Sequence, residues 1–398
     1  MPMIETLPAL PFERPSPLDI SPLYRQLQAE QPVARVRTLA GDEAWLVTRH
    51  ADVQALLGDE RLARSHPDPA RAARVSGSAL DGGPTGSYAT EREDHASMRR
   101  VFIPSFSPRR MQAMQPRIQA LAESLLDQLS QLQPPADFHV AVAWPLPVLV
   151  ICELLGVPYA DRQQFGGWSD AVGHLRDRAR AEAALQQLRT YMADLIRQKR
   201  ATPGQDVISD LIAARDERGQ LSESEIIRYA AGLLFAGHET TVTRLDFGTL
   251  LLLTHPEQRE WLVRDPALVQ PATEEILRLA APSETELPRY AQADIQLEGV
   301  TIHAGDVVLL AIAAANRDPR VFRDPDHFDI TREPNPHLAF GYGGHYCLGA
   351  SLARLELRAV FGSLFRRLPA LRLAVPIEQL RLRRHLLTGG LEALPVAW

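Results

Sequence analysis

Cys347 lies in the run Phe340-Gly341-Tyr342-Gly343-Gly344-His345-Tyr346-Cys347-Leu348-Gly349, just before an apolar helical stretch. Backbone N–H groups and the positive end of a helix favour thiolate over thiol. Glycines let backbone approach closely, which suits a thiolate presented to a flat, metal-bearing group. Two other readings compete. A zinc site built from His345, Cys347 and the distant Cys152 lacks the paired Cys-x-x-Cys spacing. A dinucleotide fingerprint fails because Tyr346 stands where the third glycine belongs.

A second segment, Ala236-Gly237-His238-Glu239-Thr240-Thr241, sits in the middle of an apolar run. Glycine and threonine are poor choices inside a helix, and a Thr hydroxyl can bond back to a carbonyl and bend it. An acid beside an alcohol at a weakened turn suits proton delivery, and a packing kink is the plain alternative. His238-Glu239 opens like a His-Glu-x-x-His zinc motif, but the fifth position is Val242. Glu275 and Arg278 stand three apart and share a helical face, a spacing most often found in solvated ion pairs.

These residues need elements to hold them. Ser222-Glu223-Ser224-Glu225 has capping-box spacing, and His255-Pro256 ends the apolar run that follows. The spacing predicts a helix of roughly 30 residues, long enough to cross the molecule. A helix is expected from Pro271 to Ala280 and another from Leu348 to Leu368. A short helix is expected over Pro22–Glu30, with strands at Ala34–Thr38, Ala44–Thr48, Ile295–Leu297 and Val307–Ile312. Residues 66–90 read as a long loop. No internal repeat or linker divides the chain, so residues 1–398 are expected to form a single domain, mainly α with small β-sheets.

With 398 residues, 45% hydrophobic and 23% charged, the chain has the composition of a globular protein with a large core. A net charge of −6 gives no sign of a nucleic-acid partner. No stretch reaches the roughly 18 apolar residues of a membrane span, so no membrane partner and a cytoplasmic location are expected. Cys152 lies in an apolar stretch and reads as a small buried hydrophobe.

The cysteine run resembles the heme-ligand signature of the cytochrome P-450 family, Phe-Gly-x-Gly-x-His-x-Cys-x-Gly. The handed-on elements are Phe340, Gly341, Gly343, His345, Cys347 and Gly349. The resemblance implies a cytochrome P-450 fold with a long central helix over a heme b (iron protoporphyrin IX), its iron bound by Cys347. It makes Glu239 and Thr240 the proton-delivering pair and Thr241 structural. Glu275, Arg278 and Arg332 become a buried lock near the cysteine loop, with Glu274 a flanking exposed acid. His95, Arg99, Arg289 and His345 become the cations for the two propionates. The approach to His95, Glu91-Arg92-Glu93-Asp94, departs from the Pro-Pro-Glu of many relatives. By matching positions, Gly232, Phe235, Ala236, Ser283, Glu284, Leu387 and Thr388 border the substrate pocket, with the loop from Leu80 to Ala89 as a further wall.

The implied activity is a monooxygenase that inserts one atom of dioxygen into a small organic substrate of secondary metabolism, such as a polyketide, macrolide, terpenoid or amino-acid derivative. The alternatives are nitration, coupling or peroxide-driven chemistry on the same heme-thiolate, or a non-catalytic docking relative. No flavin or iron–sulfur module is recognisable, so ferredoxin and ferredoxin reductase are the implied electron donors. Arg100, Arg109, Arg110, Arg354 and Arg358 are the candidate docking face.

Overall fold

The helix expected after Ser222 forms as Glu223–Thr254, 32 residues long. Its capping box is complete: the Ser222 side chain accepts from the Glu225 N–H while the Glu225 carboxylate accepts from the Ser222 N–H. The helix is unbroken through Gly237 and Thr240, so the expected weakened turn does not interrupt it. Gly237 instead answers a packing demand. A Cβ there would lie 2.6 Å from Ile151 Cδ1, so the glycine lets helix Pro145–Leu155 approach.

The computed structural model describes residues 7–216, 221–280 and 286–398. Helices dominate, and the largest core cluster surrounds the long helix, drawing on Pro108–Ser130, Pro145–Leu155 and Ala350–Phe361. A five-stranded sheet sits to one side. Val33–Arg37 pairs antiparallel with Glu43–Val47, which runs parallel to Val307–Leu310. Val307–Leu310 pairs antiparallel with Leu287–Ala291, placing Arg289 opposite Val308. Leu62–Ala63 completes the order.

Two expectations shift, and two strands were not foreseen. The helix expected from Pro271 begins at Val269, so Pro271 is its third residue. The expected helix Leu348–Leu368 is divided into Ala350–Phe361 and Leu364–Arg367. The chain turns at Gly362, where a Cβ would lie 2.8 Å from the Arg358 carbonyl oxygen. The strands at Leu62–Ala63 and Leu287–Ala291 carry too few alternating residues to announce themselves.

Candidate active site

The cysteine loop is led into the core by the helix that follows it. Phe361 from that helix packs on the long helix at Gly248, where a Cβ would lie 2.4 Å from the ring. Gly341 and Gly343 both have positive φ, 72° and 69°, which other residues adopt at a cost. The Cys347 N–H donates to the Phe340 carbonyl at 2.9 Å.

The thiol is open on one side yet densely surrounded, as expected of a group lining an internal cleft. Burial raises its pKa, and the Gly349 N–H, Arg354 and Arg99 only oppose that shift. This corrects the expectation that loop and helix alone favour thiolate. Desolvation wins here, and a bound cation is what would deprotonate the sulfur. Cys152 is buried in helix Pro145–Leu155, its thiol pushed up to about 12 by burial. Among the described residues no three His, Cys, Asp or Glu side chains gather as a metal-holding group, so the zinc alternative has no geometry to stand on.

Beside the cysteine loop stands a group of basic side chains. The His95 and His345 rings stack with centroids 3.9 Å apart. Arg99 Nη1 donates to the Tyr346 carbonyl at 2.8 Å, joining helix Glu91–Phe102 to the loop. Arg289 is buried on its strand and donates to the Pro288 carbonyl at 2.8 Å. None of these four has a hydrogen-bonded carboxylate among the described residues. Burial pushes the His345 pKa down to about 3, and His95, Arg289, Arg64 and Arg99 push the same way. His95 is lowered by burial and by Arg99. Arg64 is a member that sequence reasoning missed. It pairs with Asp81 at 2.9 Å. Burial and the neighbouring arginines thus disfavour a charge on either histidine, and an arriving anion would reverse that.

On the long helix, Gly232, Ala236 and Thr240 are exposed although their neighbours are buried. They stand four apart and form one open stripe facing a cleft. Nothing lies within 4 Å of a Cβ placed on Gly232. Thr240 Oγ1 donates to the Ala236 carbonyl at 2.8 Å, a back-bond that leaves its lone pairs available. Phe235 does not share the open stripe. It is buried with Ala171 and Val172 and packs against Leu80 and Leu387, so the three expected wall residues do meet.

Glu239 is buried beside the stripe. Its Oε2 accepts from Thr388 Oγ1 at 3.3 Å and from Arg383 Nη2 at 3.4 Å. Arg383 also reaches Asp170, 3.5 Å away, whose carboxylate is half exposed. Glu239 Oε1 and His238 Nε2 have no hydrogen-bond partner. Burial pushes His238 down to about 3, so it is neutral, with its ring edge-on to Trp144. Arg383 and Asp170 were not legible in the sequence, because Arg383 meets Glu239 across 144 positions and Asp170 joins only through Arg383. Ser283 and Glu284 lie outside the described residues.

The Glu275–Arg278 pair is a lock and not a solvated pair. Both side chains are fully buried, and two bonds of 2.7 and 2.8 Å join them. Arg332 Nε and Asn335 Nδ2 each donate to Glu275 at 3.1 Å, and Arg278 donates to the Asn316 carbonyl at 2.9 Å. Glu274 is not the exposed acid expected. Although burial opposes it, His337 at 3.1 Å and Arg354 at 2.7 Å hold its pKa down to about 2. Arg354 in turn lies over the Phe340 ring, 4.5 Å from its centroid.

The chain is similar to known proteins along nearly its whole length. The family model for cytochrome P-450 matches residues 173–265 and 266–372. Pentalenolactone synthase of Streptomyces exfoliatus is 46% identical over 98% of this chain and 99% of its own. The mycinamicin IV hydroxylase/epoxidase of Micromonospora griseorubida is 42% identical, covering 98% of both chains. Among solved structures, the putative thioether synthase SgvP superposes with a TM-score of 0.92 at 36% identity, covering 99% of this chain and 100% of that one. The pimaricin epoxidase PimD gives 0.88 at 44% identity, covering 98% of this chain and 99% of that one. The chain belongs to the cytochrome P-450 family and is a heme-iron monooxygenase. No helix among the described residues is long and apolar enough to cross a membrane.

Proposed function

We propose that Cys347 is the thiolate ligand of a heme b whose two propionates are held by His95, Arg99, Arg289 and His345. The observation that carries this is the basic group itself: Arg99, Arg289 and two stacked imidazoles beside the cysteine loop, none of them hydrogen-bonded to a carboxylate among the described residues. Two propionates are the charge such a group lacks. The soft sulfur in its one-sided cleft is the donor a heme iron requires.

When bound, the heme supplies dioxygen activation and one-electron chemistry that no side chain here can provide. The chain's own residues do the rest. Cys347 gives its sulfur to the iron. Thr240 Oγ1, its hydrogen engaged by the Ala236 carbonyl, accepts a hydrogen bond from a water in the cleft and so holds a proton at that point. Glu239 stands next along the helix, with one oxygen unpartnered, and passes protons toward Thr240. Arg383 and Thr388 position that carboxylate through its other oxygen. Phe235, Leu80 and Leu387 close an apolar wall that keeps bulk water from the substrate.

The substrate class is a small secondary metabolite, in keeping with relatives that are named for pentalenolactone and mycinamicin. Ferredoxin and its reductase are the electron donors. Arg100 and Arg109 are exposed and make the docking face with the exposed Ile103, whereas Arg110 is held by Asp210 and Arg354 by Glu274.

A carbon-monoxide difference spectrum of the reduced protein tests the ligand. A strongly red-shifted Soret band is expected, and Cys347→His should abolish it while heme is retained. A wild-type spectrum without that band would refute the assignment.

A further inference from the structure

The long helix carries one cation that the chain itself does not answer. From Thr241 to Leu252 every side chain is buried except Arg244. Arg244 stands one turn beyond Thr240, so it continues the open stripe of Gly232, Ala236 and Thr240. Its remaining exposure therefore opens on the same cleft. Side chains on a helix lean toward its N-terminus, which directs Arg244 back toward the Thr240 turn. The surroundings are otherwise dense, and burial pulls its pKa down to about 10 with no acid acting in the opposite sense. Among the described residues it makes no hydrogen bond, ion pair or ring contact.

Other buried arginines differ. Arg278 has Glu275, Arg317 has Asp326, and Arg383 has Glu239 and Asp170. Arg289 also lacks an ion pair among the described residues, but Asp81 and Glu91 act on it and it belongs to the basic group beside the cysteine loop. A guanidinium held in low dielectric without a counter-charge is costly, so its partner must enter with what binds in the cleft.

We propose that Arg244 binds a carboxylate carried by the substrate, so that this enzyme acts on an apolar molecule bearing an acid group. The planar fork of a guanidinium matches a carboxylate through two parallel bonds. The propionates have a separate basic group beside the cysteine loop, with which Arg244 makes no contact, which leaves the substrate as the source of the charge. The wall of Phe235, Leu80 and Leu387, about two and a half turns back along the helix, is apolar and fits the remainder of such a molecule. The inference rests on the heme assignment above.

The test uses the heme-loaded protein and azole ligands, which bind a heme iron whatever the natural substrate. Phenylimidazole is compared with its meta- and para-carboxyphenyl forms by Soret titration. At least one carboxylated form is expected to bind wild type about tenfold tighter than the parent, and Arg244→Gln should erase that gain while leaving parent affinity unchanged. No gain in wild type, or a gain that survives in Arg244→Gln, overturns the proposal. Arg244→Gln should also keep its full heme content, since loss of heme would reassign the residue to a propionate. Ligand-free Arg244→Met should melt above wild type, because an unpaired buried charge has been removed, and a lower melting temperature would reveal a structural partner and overturn the proposal. A wild type that gives no Soret response to phenylimidazole itself would instead sink the heme assignment.

Discussion

Two buried acids, Glu275 and Glu239, are treated in opposite ways. Glu275 receives donors from Arg278, Arg332, Asn335 and the Asp329 N–H, all within 3.2 Å. Glu239 has two hydrogen bonds of 3.3 and 3.4 Å on one oxygen and none on the other, which has only the His238 ring 3.7 Å away. A fully satisfied network fixes one geometry, whereas a half-satisfied buried acid is free to exchange partners or a proton. The first region is a closed lock, and the second is the acid to which we assign proton delivery.

The largest way to break this comparison is Glu275→Leu. It strands two buried guanidinium groups and is expected to cost about 3–5 kcal/mol. Urea unfolding and heme retention read the loss, and a stable, heme-replete variant would show that the lock is dispensable. Within the long helix, Gly237→Val drives its branched side chain against Ile151 and should cost about 1–3 kcal/mol. On the cleft side, Thr240→Ala should barely alter stability. It should lower the coupling of electron use to product by about tenfold, or about 1.4 kcal/mol in the productive step. Peroxide release measures it, and undisturbed coupling would remove Thr240 from the proton path.

A smaller effect concerns His139, whose Nδ1 lies 2.7 Å from Asp246 Oδ2. Burial depresses its pKa, but the hydrogen bond and charge of Asp246 prevail and raise it above 6.5. A raised folded pKa gives stability that is complete below the unfolded value and is lost as pH rises through the folded one. Melting temperature should therefore fall as pH climbs above about 6.5, and Asp246→Asn should flatten the decline. The smallest effect is Gly232→Ala, which removes backbone freedom where nothing stands within 4 Å and should add about 0.5–1 kcal/mol. It also places a methyl in the cleft, so substrate affinity should change while stability improves.

Local chemistry determined much of this from the amino-acid order. The capping box, the length of the central helix and the cysteine loop rest on interactions within a few residues, so their spacing is legible along the chain. Glycines were ambiguous, because Gly232 and Gly237 look alike in sequence but face an open cleft and a packed helix. Only the tertiary structure decided the partners of the buried charges. Arg383 meets Glu239 across 144 positions, and Glu274 gathers Arg354 and His337 where an exposed acid was expected. It also decided the state of the Cys347 thiol, because burial by distant segments outweighs the loop and helix beside it. Desolvation and ion pairing depend on which surfaces the fold brings together, and sequence separation carries no record of that.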